Sequence, residues 1–254
     1  MIVFREVHKA FGPKRVLEGF SLDIPDGQTT VIVGYSGAGK SVALKLIVGL
    51  LTPDHGAVEV DGQVVHILER DALTELRAQI GFVFQFAALF DSMTVAENLA
   101  LGLRRRGVSE TEIQERTTEA LEVVGLPGNE ARYPAELSGG MRKRVGIARA
   151  VVLRPRYILY DEPTTGLDPV TAAVMNQLMV RTRETYGVTG VVVTHDMRSA
   201  YTVGDRIAML YQGKVRQVGS VEAIRGSHDP VVRQFVEGRP EGVLDAERAQ
   251  GGVR

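Results

Sequence analysis

An α/β fold is predicted for this chain, with a parallel-sheet core, an N-terminal antiparallel β-subdomain and an inserted α-helical subdomain. Three observations predict it. Short β-branched runs such as Thr30-Val31-Ile32-Val33 and Val191-Val192-Val193-Thr194 read as strands buried on both faces, as a parallel sheet requires. Two turn dipeptides, Asp61-Gly62 and Gln212-Gly213, sit between apolar segments and read as hairpins. Between about residues 86 and 152 the apolar period changes from strand-like to helical.

The remaining elements follow in order. Residues 2–7 alternate as an edge strand would, and 20–24 form a second strand with Phe20, Leu22 and Ile24 inward. Pro25-Asp26-Gly27 is a turn leading into the strand 30–33. After it, Val42-Ala43-Leu44-Lys45-Leu46-Ile47 reads as the start of a helix. The antiparallel strands, with the hairpin at Asp61-Gly62, are expected against the edge of the parallel core. Ile80-Gly81-Phe82-Val83-Phe84 is a further buried strand ending at Gln85. Helices are expected from 94, over 109–124 with Ser109 and Glu112 as a capping box, and over 139–152. Strands return at 157–160 and 188–194 around a helix over 171–186, and a last hairpin joins 207–211 to 214–218. The reading is one domain over residues 1–237, followed by an extension over 238–254 whose end is polar and expected to be mobile.

Composition bounds the function. The 254 residues suffice for one sizeable core with a smaller lobe. With 30 basic and 31 acidic residues, no field for a polyanion is advertised, and nucleic-acid binding is not expected. The absence of cysteine excludes disulfides, thiolate metal sites and a cysteine nucleophile. Met1-Ile2-Val3-Phe4-Arg5-Glu6 lacks the apolar core of a signal peptide, and no apolar run approaches the ~18 residues of a membrane span. The expectation is a soluble, cytosolic chain that reaches a membrane only through a partner.

The chemistry centres on Gly34-Tyr35-Ser36-Gly37-Ala38-Gly39-Lys40-Ser41, which fits G-x-x-x-x-G-K-[ST] between a strand and a helix. Glycines let successive backbone N–H groups turn inward onto phosphate oxygens, and the helix N-terminus adds partial positive charge. Lys40 is placed to reach β- and γ-phosphates and the Ser41 hydroxyl to hold Mg²⁺, with Val42 following in the first turn. A nucleoside triphosphate is the ligand this pattern predicts.

Asp161-Glu162 ends the strand 157–160, where ligands of a parallel sheet gather. Asp161 is assigned to Mg²⁺, and Glu162 to the general base that polarises the attacking water. His195 ends the next strand and can donate to the γ-phosphate. Leu137-Ser138-Gly139-Gly140-Met141 opens a helix, with Ser138 as N-cap and the glycines allowing close approach of an anion. One phosphate loop already grips its own nucleotide. This second anion-seeking helix end therefore makes most sense facing another molecule's ATP.

The order 34–41, Gln85, 137–141, Asp161-Glu162, Gly166-Leu167-Asp168 and His195 resembles the nucleotide-binding subunit of ABC transporters, from about Phe4 to Val218. The resemblance implies a P-loop NTPase core of the ABC ATPase type with Walker A, Q-loop, signature, Walker B, D-loop and switch histidine at those positions. It implies Phe11 stacked on adenine, Gln85 sensing the γ-phosphate and touching the metal, and Asp168 beside the nucleotide. It also implies a head-to-tail dimer with another copy around two ATP. An integral permease would hold that dimer at the cytoplasmic face of the inner membrane. Two departures stand out: Met141 replaces the commoner Gln, and Tyr35 is an unusual filler of the loop.

Residues 84–95 and 138–144 look like the ATPase of the Mla/MCE phospholipid-trafficking systems, as does the segment 234–242. That similarity implies an MCE-domain partner, a phospholipid or other hydrophobic cargo, and Phe235 and Val236 as apolar anchors that help hold the dimer. A permease for a polar solute such as an amino acid or ion is the alternative. Arg104-Arg105-Arg106 reads as a solvated basic run, with permease or anionic headgroups as its other use.

Overall fold

A computed structural model describes residues 1–240 of the chain. The mobility expected of the last residues falls on 241–254, outside the described residues. The chain opens with β1 (Ile2–Phe11), β2 (Lys14–Ile24), β3 (Thr29–Val33), α1 (Lys40–Ile47), β4 (His55–Val60) and β5 (Gln63–Val64). It continues with α2 (Arg70–Ala78), β6 (Ile80–Val83), α3 (Val95–Arg105), α4 (Glu110–Val123) and α5 (Gly139–Val151). Then come β7 (Tyr157–Asp161), α6 (Pro169–Tyr186), β8 (Thr189–Thr194), α7 (Met197–Val203), β9 (Arg206–Tyr211), β10 (Lys214–Ser220), α8 (Val221–Arg225) and α9 (Pro230–Glu237).

Two sheets result. One is antiparallel in the order β2-β1-β4-β5; the other runs β10-β9-β3-β8-β7-β6. In the second, β9-β3-β8-β7-β6 are parallel and β10 is an antiparallel edge. The hairpins at Asp61-Gly62 and Gln212-Gly213 have positive φ at both turn residues, the primed geometry that matches strand twist.

Period-2 alternation splits the parallel strands between two apolar layers. Val31, Ile158, Tyr160, Val192, Ile207 and Met209 face the layer shared with α3 to α7. Ile32, Leu159, Val191, Val193 and Ala208 face the layer shared with α1 and the antiparallel sheet. Both faces are therefore dry, which explains the unbroken apolar runs.

Three expectations need correction. The first strand is interior, because Ile2 pairs with Ile24 on one side and with Val60 on the other. Alternation reports which face of a strand is buried and says nothing of its neighbours. The antiparallel sheet shares an apolar layer with the face of the parallel sheet, and no ladder joins the two. At α4 the Ser109 hydroxyl accepts from the Glu112 amide, but the Glu112 carboxylate is taken by Arg116. The reciprocal capping box stands instead at Thr94 and Glu97.

Register places the chemistry. Val33 pairs with Thr194, Val193 with Asp161, and Tyr160 with Val83. The residues that follow these strands, Gly34, His195, Glu162 and the segment to Gln85, thus leave the sheet side by side at its carboxyl edge.

Candidate functional site: a phosphate-loop cavity

The phosphate loop is shaped by its glycines. Gly39, N-cap of α1, has φ 104°, and a Cβ there would lie 2.8 Å from Val16 Cγ1. Lys40 is buried at 6% exposure and donates to the carbonyls of Gly34 (2.8 Å) and Tyr35 (3.0 Å). Its ammonium lies 3.5 Å from Glu162 Oε1. Burial lowers the Lys40 pKa, and the charges of Glu162 and Asp161 oppose that shift.

The Ser41 hydroxyl donates to Asp161 Oδ1 at 2.6 Å. Burial raises the Asp161 pKa, with Ser41 working against it and the neighbouring Glu162 charge adding to it. The charges of Lys45 and Lys40 only partly offset that desolvation, and these two adjacent hard oxygen donors suit Mg²⁺. That ion takes few protein ligands and completes its shell with water and phosphate oxygens. Among the described residues no cluster of three or more His, Cys, Asp or Glu forms a ligand set of its own.

Glu162 has φ 48°, in the left-handed region that costs energy for any residue with a Cβ. Its amide donates to Val193 O at 3.0 Å. Its Oε2 lies 2.9 Å from His195 Nδ1 and accepts from Thr165 Oγ1 at 3.1 Å. A cavity of about 580 Å³ collects most of the sequence-predicted residues: Ser36, Gly37, Gly39, Lys40, Ser41 and Val42 of the loop, with Phe11, Gln85, Glu162 and His195. Phe11 is half-exposed at its rim, with Lys9 5.6 Å over the ring. His195, expected at the γ-phosphate, is bonded to Glu162 here.

Other predicted residues line no part of this cavity. Gly34, Tyr35, Ala38 and Asp161 are not wall residues but adjoin or bond ones that are. Ser138, Gly139, Gly140 and Asp168 are absent from its walls and bond none of the wall residues. Ser138 caps α5, accepting from the Met141 amide at 3.2 Å. Asp168 caps α6, accepting from the amides of Val170 and Thr171, each at 3.0 Å. Gly140 is needed for a different reason: a Cβ would lie 2.7 Å from Thr171 Cγ2. Tyr35 turns away from the loop and meets the Phe235 ring edge-on at 4.8 Å. Phe235 and Val236 therefore anchor α9 within their own chain, against the larger apolar layer.

Sequence reading missed the residues that hold these loops. The amide of Asn98, fully buried, bonds Phe90 through both its oxygen and its nitrogen, and also reaches Met93 O and Thr94 O. Along α5, Arg142, Lys143, Arg144 and Arg149 all donate to main-chain carbonyls. Arg149 holds Ala87 and Ala88, whose φ angles are 54° and 48°, so the strained turn after Gln85 is clamped by this helix. The Arg104-Arg105-Arg106 run closes α3, with Arg104 paired to Glu110 at 2.9 Å. Only the spacing of four cations on a helix flanked by apolar residues hinted at any of this.

A strand, a glycine loop holding a buried lysine and a carboxylate pair at the end of the next strand but one define a nucleoside-triphosphate cassette. The sequence model of the family described as ABC transporter matches residues 17–165. The chain belongs to this family and is an ATP-binding, ATP-hydrolysing subunit of it. The ribonucleotide transport ATP-binding protein mkl (described as probable) of Mycobacterium leprae is 44% identical over 93% of this chain and 68% of its own length. The methionine import ATP-binding protein MetN of Caulobacter vibrioides is 40% identical over 99% of this chain and 76% of its own. The intermembrane phospholipid transport system ATP-binding protein MlaF of Escherichia coli is 37% identical over 95% and 90%. Among solved structures, the dimeric post-hydrolysis state of the ATP-binding cassette MJ0796 with ADP and Pi superposes with TM-score 0.79 at 36% identity. It covers 87% of this chain and 99% of that one.

Proposed function

We propose that two copies of this chain close head-to-tail around two ATP, and that the Ser138 end of one copy completes the cavity of the other. The observation that carries this reading is the division of the site. Lys40, Ser41, Gln85, Glu162 and His195 share one cavity, while Ser138, Gly139, Gly140 and Asp168 stand outside it. A capped helix end with an exposed Ser138 and Gly139, followed by a partly buried Gly140, is an anion seat without an anion of its own chain.

Within the cavity the phosphate-loop amides and Lys40 bind the triphosphate, and Phe11 offers a face to the adenine. Ser41, Asp161 and Gln85 would hold Mg²⁺, which neutralises developing charge on the β- and γ-phosphates. Glu162 is the base. Its Oε2 is already engaged by His195 and Thr165, so Oε1 is the oxygen left for water once Lys40 turns toward phosphate. His195 then fixes the carboxylate and borders the γ-phosphate.

The membrane partner is an integral permease. Phe86 and Phe90, next to Gln85, are 85% and 50% exposed, an aromatic patch suited to a protein surface. No described helix is long and apolar enough to cross a membrane, so attachment to the inner membrane runs through that permease. Phospholipid, with an MCE-domain protein in the assembly, is the cargo this reading favours, supported by the likeness to MlaF. The likeness to MetN supports a polar solute as the second reading. Co-purification from detergent-solubilised membranes separates them: an MCE protein supports the first, a solute-binding protein the second.

The shared site is tested by mixing. Ser138→Arg and Lys40→Ala variants, each inactive alone, are expected to regain part of the wild-type turnover as mixed dimers, because each heterodimer holds one intact site. No recovery in dimers shown to be mixed would sink the shared-site reading.

A further inference from the structure

Lys143 carries a charge that the proposed mechanism does not use. It sits on α5, one turn in from Ser138, with its ammonium on the carbonyls of Pro163 (3.0 Å) and Thr165 (2.6 Å). No described carboxylate lies within ion-pair distance of it. Burial lowers its pKa, partly offset by the charge of Glu162. A half-buried ammonium spent on carbonyls costs part of its hydration and returns only two hydrogen bonds. Its gain has to be positional.

What it positions is the turn after the general base. Thr165 appears twice in this turn. Its carbonyl accepts from Lys143, and its hydroxyl donates to Glu162 Oε2 at 3.1 Å. The Thr165 amide closes the turn on Glu162 O at 3.3 Å. Glu162 itself is held at φ 48°, a conformation that persists only where the surroundings over-determine it.

We infer that Lys143 and Thr165 are positioning residues for Glu162, linking the helix headed by Ser138 to the carboxylate of the same chain's cavity. Lys143 fixes Thr165, and Thr165 aims one carboxylate oxygen so that the other faces water. A shift of α5 along its axis moves the Lys143 ammonium, then the 163–165 turn, then Glu162. This rests on the reading above that Ser138 grips the neighbouring copy's nucleotide and that Glu162 is the base. Given that reading, each copy readies its own base only when its helix is seated on the other copy's ATP.

The test uses the full chain and steady-state ATP turnover. Lys143→Met and Thr165→Val are each expected to lower kcat about tenfold and to leave KM for ATP within about twofold, since a misaimed base loses rate and the binding groups are untouched. The double variant should be no slower than the slower single one, because both act through one link. Lys143→Arg and Thr165→Ser, which keep the donors, should recover most of the rate. Should Lys143→Met fail to fold, Thr165→Val carries the test alone. Wild-type kcat in Thr165→Val, a raised KM with kcat unchanged, or fully additive losses would each overturn the inference. Glu162→Gln separates the two levels: inactive Glu162→Gln beside fully active Lys143→Met and Thr165→Val overturns this link alone. Active Glu162→Gln removes the base reading and the link with it.

Discussion

Lys40 and Glu162 face each other across the cavity, ammonium nitrogen to Oε1 at 3.5 Å, with exposures of 6% and 13%. The lysine therefore meets an incoming triphosphate while already paired. Binding must replace that carboxylate with phosphate oxygens, and Glu162 opposes ATP both as competitor for Lys40 and as a like charge. Glu162→Gln removes both effects. ATP is expected to bind this variant about tenfold more tightly while turnover is lost, measured by equilibrium binding and phosphate release. Unchanged affinity would mean that the pair is not what nucleotide displaces.

Asn98 is the hinge pin of the loop that leaves β6. All its amide atoms are spent on residues 90–94, in a fully buried position. Truncation leaves Phe90 N, Met93 O and Thr94 O with fewer partners in a partly buried turn. Asn98→Ala is expected to cost about 3 kcal/mol of unfolding free energy by urea titration. A loss below about 1 kcal/mol would show that water replaces the amide.

Much of this was legible beforehand because local signals and tertiary demands agree. The glycine loop, the strand ends at Asp161 and Thr194, and the cap Ser138 are written in adjacent residues. What was hidden is relational. Residues 2–7 alternate equally well at an edge or between two strands, and only the pairing of Ile2 with Val60 decides. Lys143 and Arg149 look like solvated cations on a helix, and their carbonyl partners come from segments far away in sequence. Thr165 gave one usable clue, a hydroxyl three residues after a strand-end carboxylate. Tyr35 looked like an incidental filler because its partner, Phe235, lies near the far end of the chain.

Gly140 and Thr171 bring α5 and α6 into close contact, and a Cβ on the glycine would meet Thr171 Cγ2 at 2.7 Å. Gly140→Ala gains about 1 kcal/mol of helix propensity and loses about 1–3 kcal/mol to overpacking. A net destabilisation of about 1 kcal/mol is expected, together with reduced turnover. Thr171→Ser deletes the clashing methyl and keeps the hydroxyl that donates to Asp168. Gly140→Ala/Thr171→Ser should therefore regain the stability lost by the single variant. A double variant no more stable than Gly140→Ala would place the cost elsewhere.

Asp229 ties α9 to the second sheet. Its carboxylate accepts from the amides of Val231 (2.9 Å) and Val232 (3.2 Å) and pairs with Arg216 of β10 at 2.8 Å. Burial alone would raise its pKa; the Val232 and Val231 amides and the Arg216 guanidinium outweigh that and hold it below the usual carboxylate range. A folded-state pKa below the unfolded value stabilises the fold at pH above the unfolded value, about 3.9, and that contribution fades as pH falls through the folded value. Asp229→Asn keeps an acceptor for the cap and removes the charge. The wild type is therefore expected to exceed Asp229→Asn in unfolding free energy by a constant margin from about pH 7 down to about pH 4, and by a shrinking one below that. Urea titrations across this range measure the margin, and one that stays constant into the acid limb would show that Arg216 draws no stability from the ionised carboxylate.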